Sequence, residues 1–101
     1  MDNGQHYKII IDPLVNDRMV EHFEFLANVS EVAAINFFDR LEKDVASLSY
    51  MPYRNPVYEW HPSHRCMISN KRYRIIYRIA DGTVFVDDVQ DCRQSESRNL
   101  I

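Results

Sequence analysis

The sequence predicts an α+β domain of order β-α-α-β-β-β, in which a mainly antiparallel sheet carries a two-helix hairpin on one face. Three observations predict it. Two alternating strands meet at Asp81-Gly82, two amphipathic segments are joined near Ser30, and the chain opens on a β-branched run. Helices gathered on one side of such a sheet leave its other face open.

Residues 6–12, HYKIIID, form the expected first strand. Asp12 then offers a carboxylate to the free amides of a helix start, and Pro13 is tolerated at the first helical position. In the helix that follows, Val15, Met19, Phe23, Leu26 and Ala27 fall on one stripe, and the helix is expected to stop near Asn28. Ser30 caps a second helix running to about Ser49, with Ala34, Phe37, Phe38, Leu41, Val45 and Leu48 at steps of three and four. Amphipathic helices joined by a couple of residues must fold back on each other. Met51-Pro52 ends the second helix, because proline keeps the residue before it out of the helical region. Residues 53–64, YRNPVYEWHPSH, have no periodicity and form a long connection of the kind that is commonly functional or mobile. A short strand at 65–69 and a turn at Asn70 and Lys71 lead into the hairpin of residues 71–93.

Asp81-Gly82 supplies the positive φ angles of a tight hairpin turn. Along the strand before it, Tyr73, Ile75, Tyr77 and Ile79 alternate with Arg72, Arg74, Ile76 and Arg78, so one face is apolar and the other carries guanidinium groups. The turn sets Ile79 opposite Val84 and Tyr77 opposite Val86. An unbroken register would also set Arg74 opposite Val89 and Asp88 beside Ile75 in the core, which is costly, so a bulge is expected near Asp87-Asp88.

At 101 residues the chain is expected to be one domain, with a core at about 6–94 and a polar tail at 95–101 whose Leu100 and Ile101 are free to dock on a neighbour. No apolar run approaches a membrane span, and MDNGQHYK lacks the order of a signal peptide, so a cytoplasmic protein is expected. Cys66 and Cys92 would lie two strands, roughly 10 Å, apart in such a sheet and are expected to remain thiols. Residues 1–64 hold five Lys and Arg against ten Asp and Glu, whereas residues 65–101 hold seven against five, which gathers positive charge on the sheet. A pI near 5.7 is nevertheless low for a protein whose main ligand is a phosphate backbone.

Arg65, Arg72, Arg74, Arg78 and Arg93 admit two readings: a solvated face laced with Asp87 and Asp91, or a phosphate or carboxylate site held by guanidinium forks. His61 and His64 are the candidates for acid/base work. HPSH has no third ligand nearby, so no metal is expected. Tyr58 and Trp60 suit base stacking or covering a core edge. With two glycines in the chain, a P-loop is excluded.

YKIIIDP, the joint at Val29-Ser30-Glu31, Met51-Pro52, YRIIYRI with its following DGTVFV, and the closing DCRQ together resemble the RelE/ParE family of toxins from bacterial type II toxin-antitoxin modules. The resemblance spans roughly residues 6–94. It implies a protein that arrests growth when free and is neutralised by a cognate antitoxin, acting either on DNA gyrase or, in the nuclease branch, on mRNA in the ribosome without a metal or other cofactor. Arg74 matches the arginine of the family's YR-x-x-Y strand, and Arg93 the arginine closing the last strand. In the nuclease branch these stabilise the scissile phosphate. Arg65, Lys71, Arg72 and Arg78 are expected to assist in binding, with His64, or His61, supplying the proton transfer. The tyrosine or histidine that the nuclease branch carries beyond the last arginine is missing from residues 94–101, which with the acidic pI favours the gyrase branch. A degenerate toxin retained as an antitoxin partner or co-repressor is the alternative.

Overall fold

The computed structural model describes residues 6–92. Its elements are β1 (Lys8–Ile11), α1 (Pro13–Val29), α2 (Glu31–Ser47), β2 (Arg65–Ser69), β3 (Tyr73–Ala80) and β4 (Thr83–Asp91), with a 3-10 turn at Pro52–Arg54 after the second helix. The order is the expected β-α-α-β-β-β. Arg93 and residues 94–101, which include the tail and Leu100 and Ile101, lie outside the described residues.

The four strands form one sheet of order β1-β4-β3-β2. Both hairpin pairings are antiparallel, but β1 runs parallel to β4, with Lys8 opposite Thr83 and Ile11 opposite Val86. The sheet is therefore mixed, because the chain leaves β1 through the helical hairpin and returns to pair beside it only with its last strand.

The joint between the helices is one residue long, and local chemistry fixes it. The backbone amide of Ser30 donates to the Leu26 carbonyl at 2.8 Å and closes α1, while its hydroxyl accepts from the Ala33 amide at 3.2 Å and opens α2. Such a cap contributes about 1 kcal/mol. Asp12 caps α1 through the Leu14 amide at 2.8 Å, with Pro13 at the first helical position.

The helices cover one face of the sheet. Val15 and Met19 of α1 and Phe37, Leu41, Val45 and Leu48 at α2 pack on Met67, Tyr73, Ile75, Tyr77, Val84, Val86 and Val89. His22 adds an aromatic contact that the hydrophobic stripe did not include, its ring edge-on to Tyr73 at 5.0 Å. The other face carries Arg74, Ile76 and Arg78 of β3, and the opposed residues of β4.

Both turns use left-handed backbone, at Asn70 and Lys71 and again at Asp81 and Gly82. The register runs as expected from Ala80 opposite Thr83 to Tyr77 opposite Val86 and then shifts, so that Ile76 faces Asp88 and Ile75 faces Val89. Asp87 is the extra residue of the bulge. Its insertion keeps Asp88 out of the core and puts Gln90, in place of Val89, opposite Arg74.

Candidate functional site: the open sheet face

The strand register divides the candidate residues between two ends of the sheet. At one end, Arg74 lies between Ile68 of β2 and Gln90 of β4 and is half-buried. Arg72, just before β3, reaches the Asp91 carboxylate at 3.7 Å and lies over the Tyr73 ring at 5.4 Å. Lys71, exposed in the turn, borders a shallow depression together with Arg40, Ile68 and Asn70. The amide of Cys92, the last described residue, donates to the Arg72 carbonyl at 2.6 Å; Arg93 lies outside the described residues.

At the other end, Arg78 stands over the Phe85 ring at 4.2 Å, and its Nε donates to Asp87 Oδ2 at 2.9 Å. The same carboxylate oxygen lies 2.8 Å from His64 Nε2. A carboxylate only accepts, so in the neutral ring the proton sits on Nε2 and Nδ1 accepts from the Ser63 hydroxyl 3.0 Å away. Arg65 begins β2 on the side of the sheet that faces Tyr77. Its Nη1 donates to the carbonyls of Asn55 at 2.6 Å and Tyr53 at 3.3 Å, and its guanidinium lies 5.1 Å from the centre of the Tyr53 ring. Tyr77 holds the start of the connecting loop: its hydroxyl donates to the Pro52 carbonyl at 2.5 Å and accepts from Asn55 Nδ2 at 3.1 Å. Burial pushes that phenol above its ordinary pKa, further from ionising.

Arg74 and Arg78 are four residues apart on one strand, or about 13 Å. The fold thus brings His64, Arg65 and Arg78 together, and sets Arg74 with Arg72 and Lys71 at the far end. Of the loop aromatics, Tyr58 is buried as a core-edge cover, its ring stacked with His61 at 6.1 Å, while Trp60 remains 41% exposed.

Ser63 was not among the sequence candidates, and Asp87 entered the sequence reading only as an acid lacing the arginine face and at the expected bulge; both touch His64. The contact of Asp87 with His64, 23 residues away in sequence, carries no local signal.

Acids pair with arginines on both sides of the sheet. Arg78 pairs with Asp87 on the open face, Arg18 of α1 reaches Asp88, and Arg72 pairs with Asp91, which the register sets opposite Tyr73 on the helix side. Among the described residues, no three His, Cys, Asp or Glu side chains converge as a metal site, and no helix is long and apolar enough to cross a membrane.

A helical hairpin on one face of a four-stranded sheet, with guanidinium groups on the open face, defines a small α+β domain with a basic sheet face. Residues 9–96 match the family model described as the ParE toxin of the type II toxin-antitoxin system, parDE, and the chain belongs to that family. No curated protein sequence matches it. As a member of this family it is the toxin component of a type II module, with a cognate antitoxin as partner.

Proposed function

We propose that the free chain arrests growth in the cytoplasm, that the antitoxin neutralises it, and that its target is a protein, DNA gyrase, rather than mRNA on the ribosome. The pairing of arginines on and around the sheet with the chain's own carboxylates supports a protein target. A surface that grips a phosphate backbone gains affinity by releasing that backbone's counterions to free cations. Here Arg78, Arg18 and Arg72 each already contact a carboxylate of the chain, Asp87, Asp88 and Asp91, and the chain as a whole is acidic, which is a poor match for a long phosphate backbone. Arg74 and Arg93 are the proposed anchors of action, and Arg65, Lys71, Arg72 and Arg78 extend the contact surface.

Neutralisation by an antitoxin is supported by apolar side chains on the hairpin of helices. Phe25, Val29 and Val32 are 62%, 79% and 68% exposed around its tip, and Val20, Phe23 and Phe38 line an apolar hollow between the helices. A monomer gains nothing from presenting them to water, whereas a partner segment would bury them.

The second reading, metal-independent mRNA cleavage, is favoured by His64, whose ring is held by a carboxylate on a face that also bears guanidinium groups. Induction of the gene alone is expected to stop growth, and co-expression of the antitoxin to restore it. Normal growth at confirmed high expression would overturn the toxin reading, and retained antitoxin binding in that case would indicate a co-repressor. With purified components, inhibited supercoiling and stalled gyrase–DNA complexes are expected. Codon-specific mRNA cleavage in translating extracts without any effect on gyrase would replace the protein target by RNA. Arg74→Ala and Arg93→Ala are each expected to abolish growth arrest.

A further inference from the structure

Where the loop after α2 meets the start of β2 and the end of β3, Tyr53, Val57, His64, Arg65 and Arg78 border a hollow of about 200 Å³. We propose that this hollow is a binding site for a nucleoside phosphate, separate from the Arg74 end of the sheet and independent of whether gyrase or mRNA is the target.

The charges argue for an anion. Two guanidinium groups face the hollow, and a single carboxylate, Asp87, is shared between Arg78 and His64. The partners of Arg65 are the carbonyls of Tyr53 and Asn55, which orient its guanidinium without cancelling its charge. Arg78 commits its Nε to Asp87 and its flat face to Phe85, so its two Nη groups are the ones placed to receive a phosphate as a fork. Asp87 holds both Arg78 and His64 in place before any ligand arrives, which lowers the ordering cost of binding.

The walls argue for more than inorganic phosphate. The hollow is far larger than a phosphate group, and the Tyr53 ring with Val57 gives it an apolar side. An aromatic ring backed by a guanidinium, as Tyr53 is by Arg65 at 5.1 Å, is a stacking platform for a nucleobase. Phosphate on the Arg78 side and base on the Tyr53 side use both walls at once.

The test uses the purified full chain, titrated with adenosine 5′-monophosphate, inorganic phosphate and a short single-stranded RNA, and followed by calorimetry and amide chemical shifts. The nucleotide is expected to shift the amides of Tyr53, His64, Arg65 and Arg78, and to bind about tenfold more tightly than inorganic phosphate. Arg78→Gln, a change at an exposed strand position, should weaken the nucleotide about tenfold while leaving the circular dichroism spectrum unchanged. Tyr53→Leu should remove the advantage of nucleotide over phosphate. RNA bound at least as tightly as the nucleotide assigns the site to a strand, and nucleotide bound without RNA assigns it to a free metabolite; the site stands in both cases. Shifts absent from these four amides at about 10 mM nucleotide, or binding indifferent to Arg78→Gln, would overturn the site. Equal affinity for nucleotide and phosphate would overturn the base contact.

Discussion

His22 is held between the helices and β3, with its ring near Tyr73 and Phe37. Burial lowers its pKa, and this outweighs the attraction of Asp91 and Glu21 for the protonated ring. The unfolded chain therefore binds a proton near pH 6.5 that the folded chain still refuses, so stability falls as pH drops below that value and levels off below the folded pKa. Urea midpoints measured at about pH 7.5 and about pH 5.5 are expected to differ in the wild type and to differ less in His22→Gln. An unchanged difference in the variant would remove His22 as the source. Tyr77 makes a different kind of contribution, since its hydroxyl joins a buried ring to the Pro52 carbonyl and the Asn55 amide. Tyr77→Phe keeps the ring and orphans both partners, so a loss of about 1–2 kcal/mol is expected in chemical denaturation. Faster amide exchange should appear at residues 53–55, as this phenol ties that segment to the sheet.

Among the elements, β4 shows how a local irregularity serves the whole strand. Asp87 and Asp88 stand next to each other, and a regular strand would have to turn one of them into the core. The bulge takes up the extra residue and lets Val86 and Val89 both face the helices. Deleting Asp87 leaves a strand whose remaining residues alternate without interruption, so the fold should survive with a stability change within about 1 kcal/mol. The ties from β4 to His64 and Arg78 should be lost, seen as altered shifts of the His64 ring. Unfolding of the deletion variant would show that the bulge itself, rather than its carboxylate, is needed. The bulge was legible in the sequence because turn chemistry at Asp81-Gly82 fixed the register and the cost of a buried carboxylate exposed the conflict. The capped helices at Asp12-Pro13 and Ser30 were legible for the same reason, since neighbouring residues carry the signal. The pairing of β1 with β4, and the meeting of His64 with Asp87, depend on residues far apart in the chain with nothing local to announce them. The site was legible to a lesser degree: alternation along β3 put Arg74 and Arg78 on one face about 13 Å apart, but only the paired strands reveal which residues join each of them.

For the molecule as a whole, the apolar tip of the helical hairpin and the acid-laced open face are separate surfaces, so a partner can grip one without covering the other. Removing the apolar grip tests this separation. Phe25→Ser with Val29→Ser changes exposed positions, so it should leave the free chain's stability within about 0.5 kcal/mol. Antitoxin affinity should drop at least about tenfold while growth arrest persists, giving a toxin harder to neutralise. Unchanged antitoxin affinity would place the partner elsewhere.

The parallel pairing of β1 with β4 also has a consequence in time. β1 is made before its partner β4, so the sheet cannot close until the chain through β4 has been made. A nascent chain ending before Thr83 holds its helices and the β2–β3 pair but has no partner for Ile9 and Ile11. The open face is thereby completed only once β4 has joined, and until then β1 offers an unpaired edge.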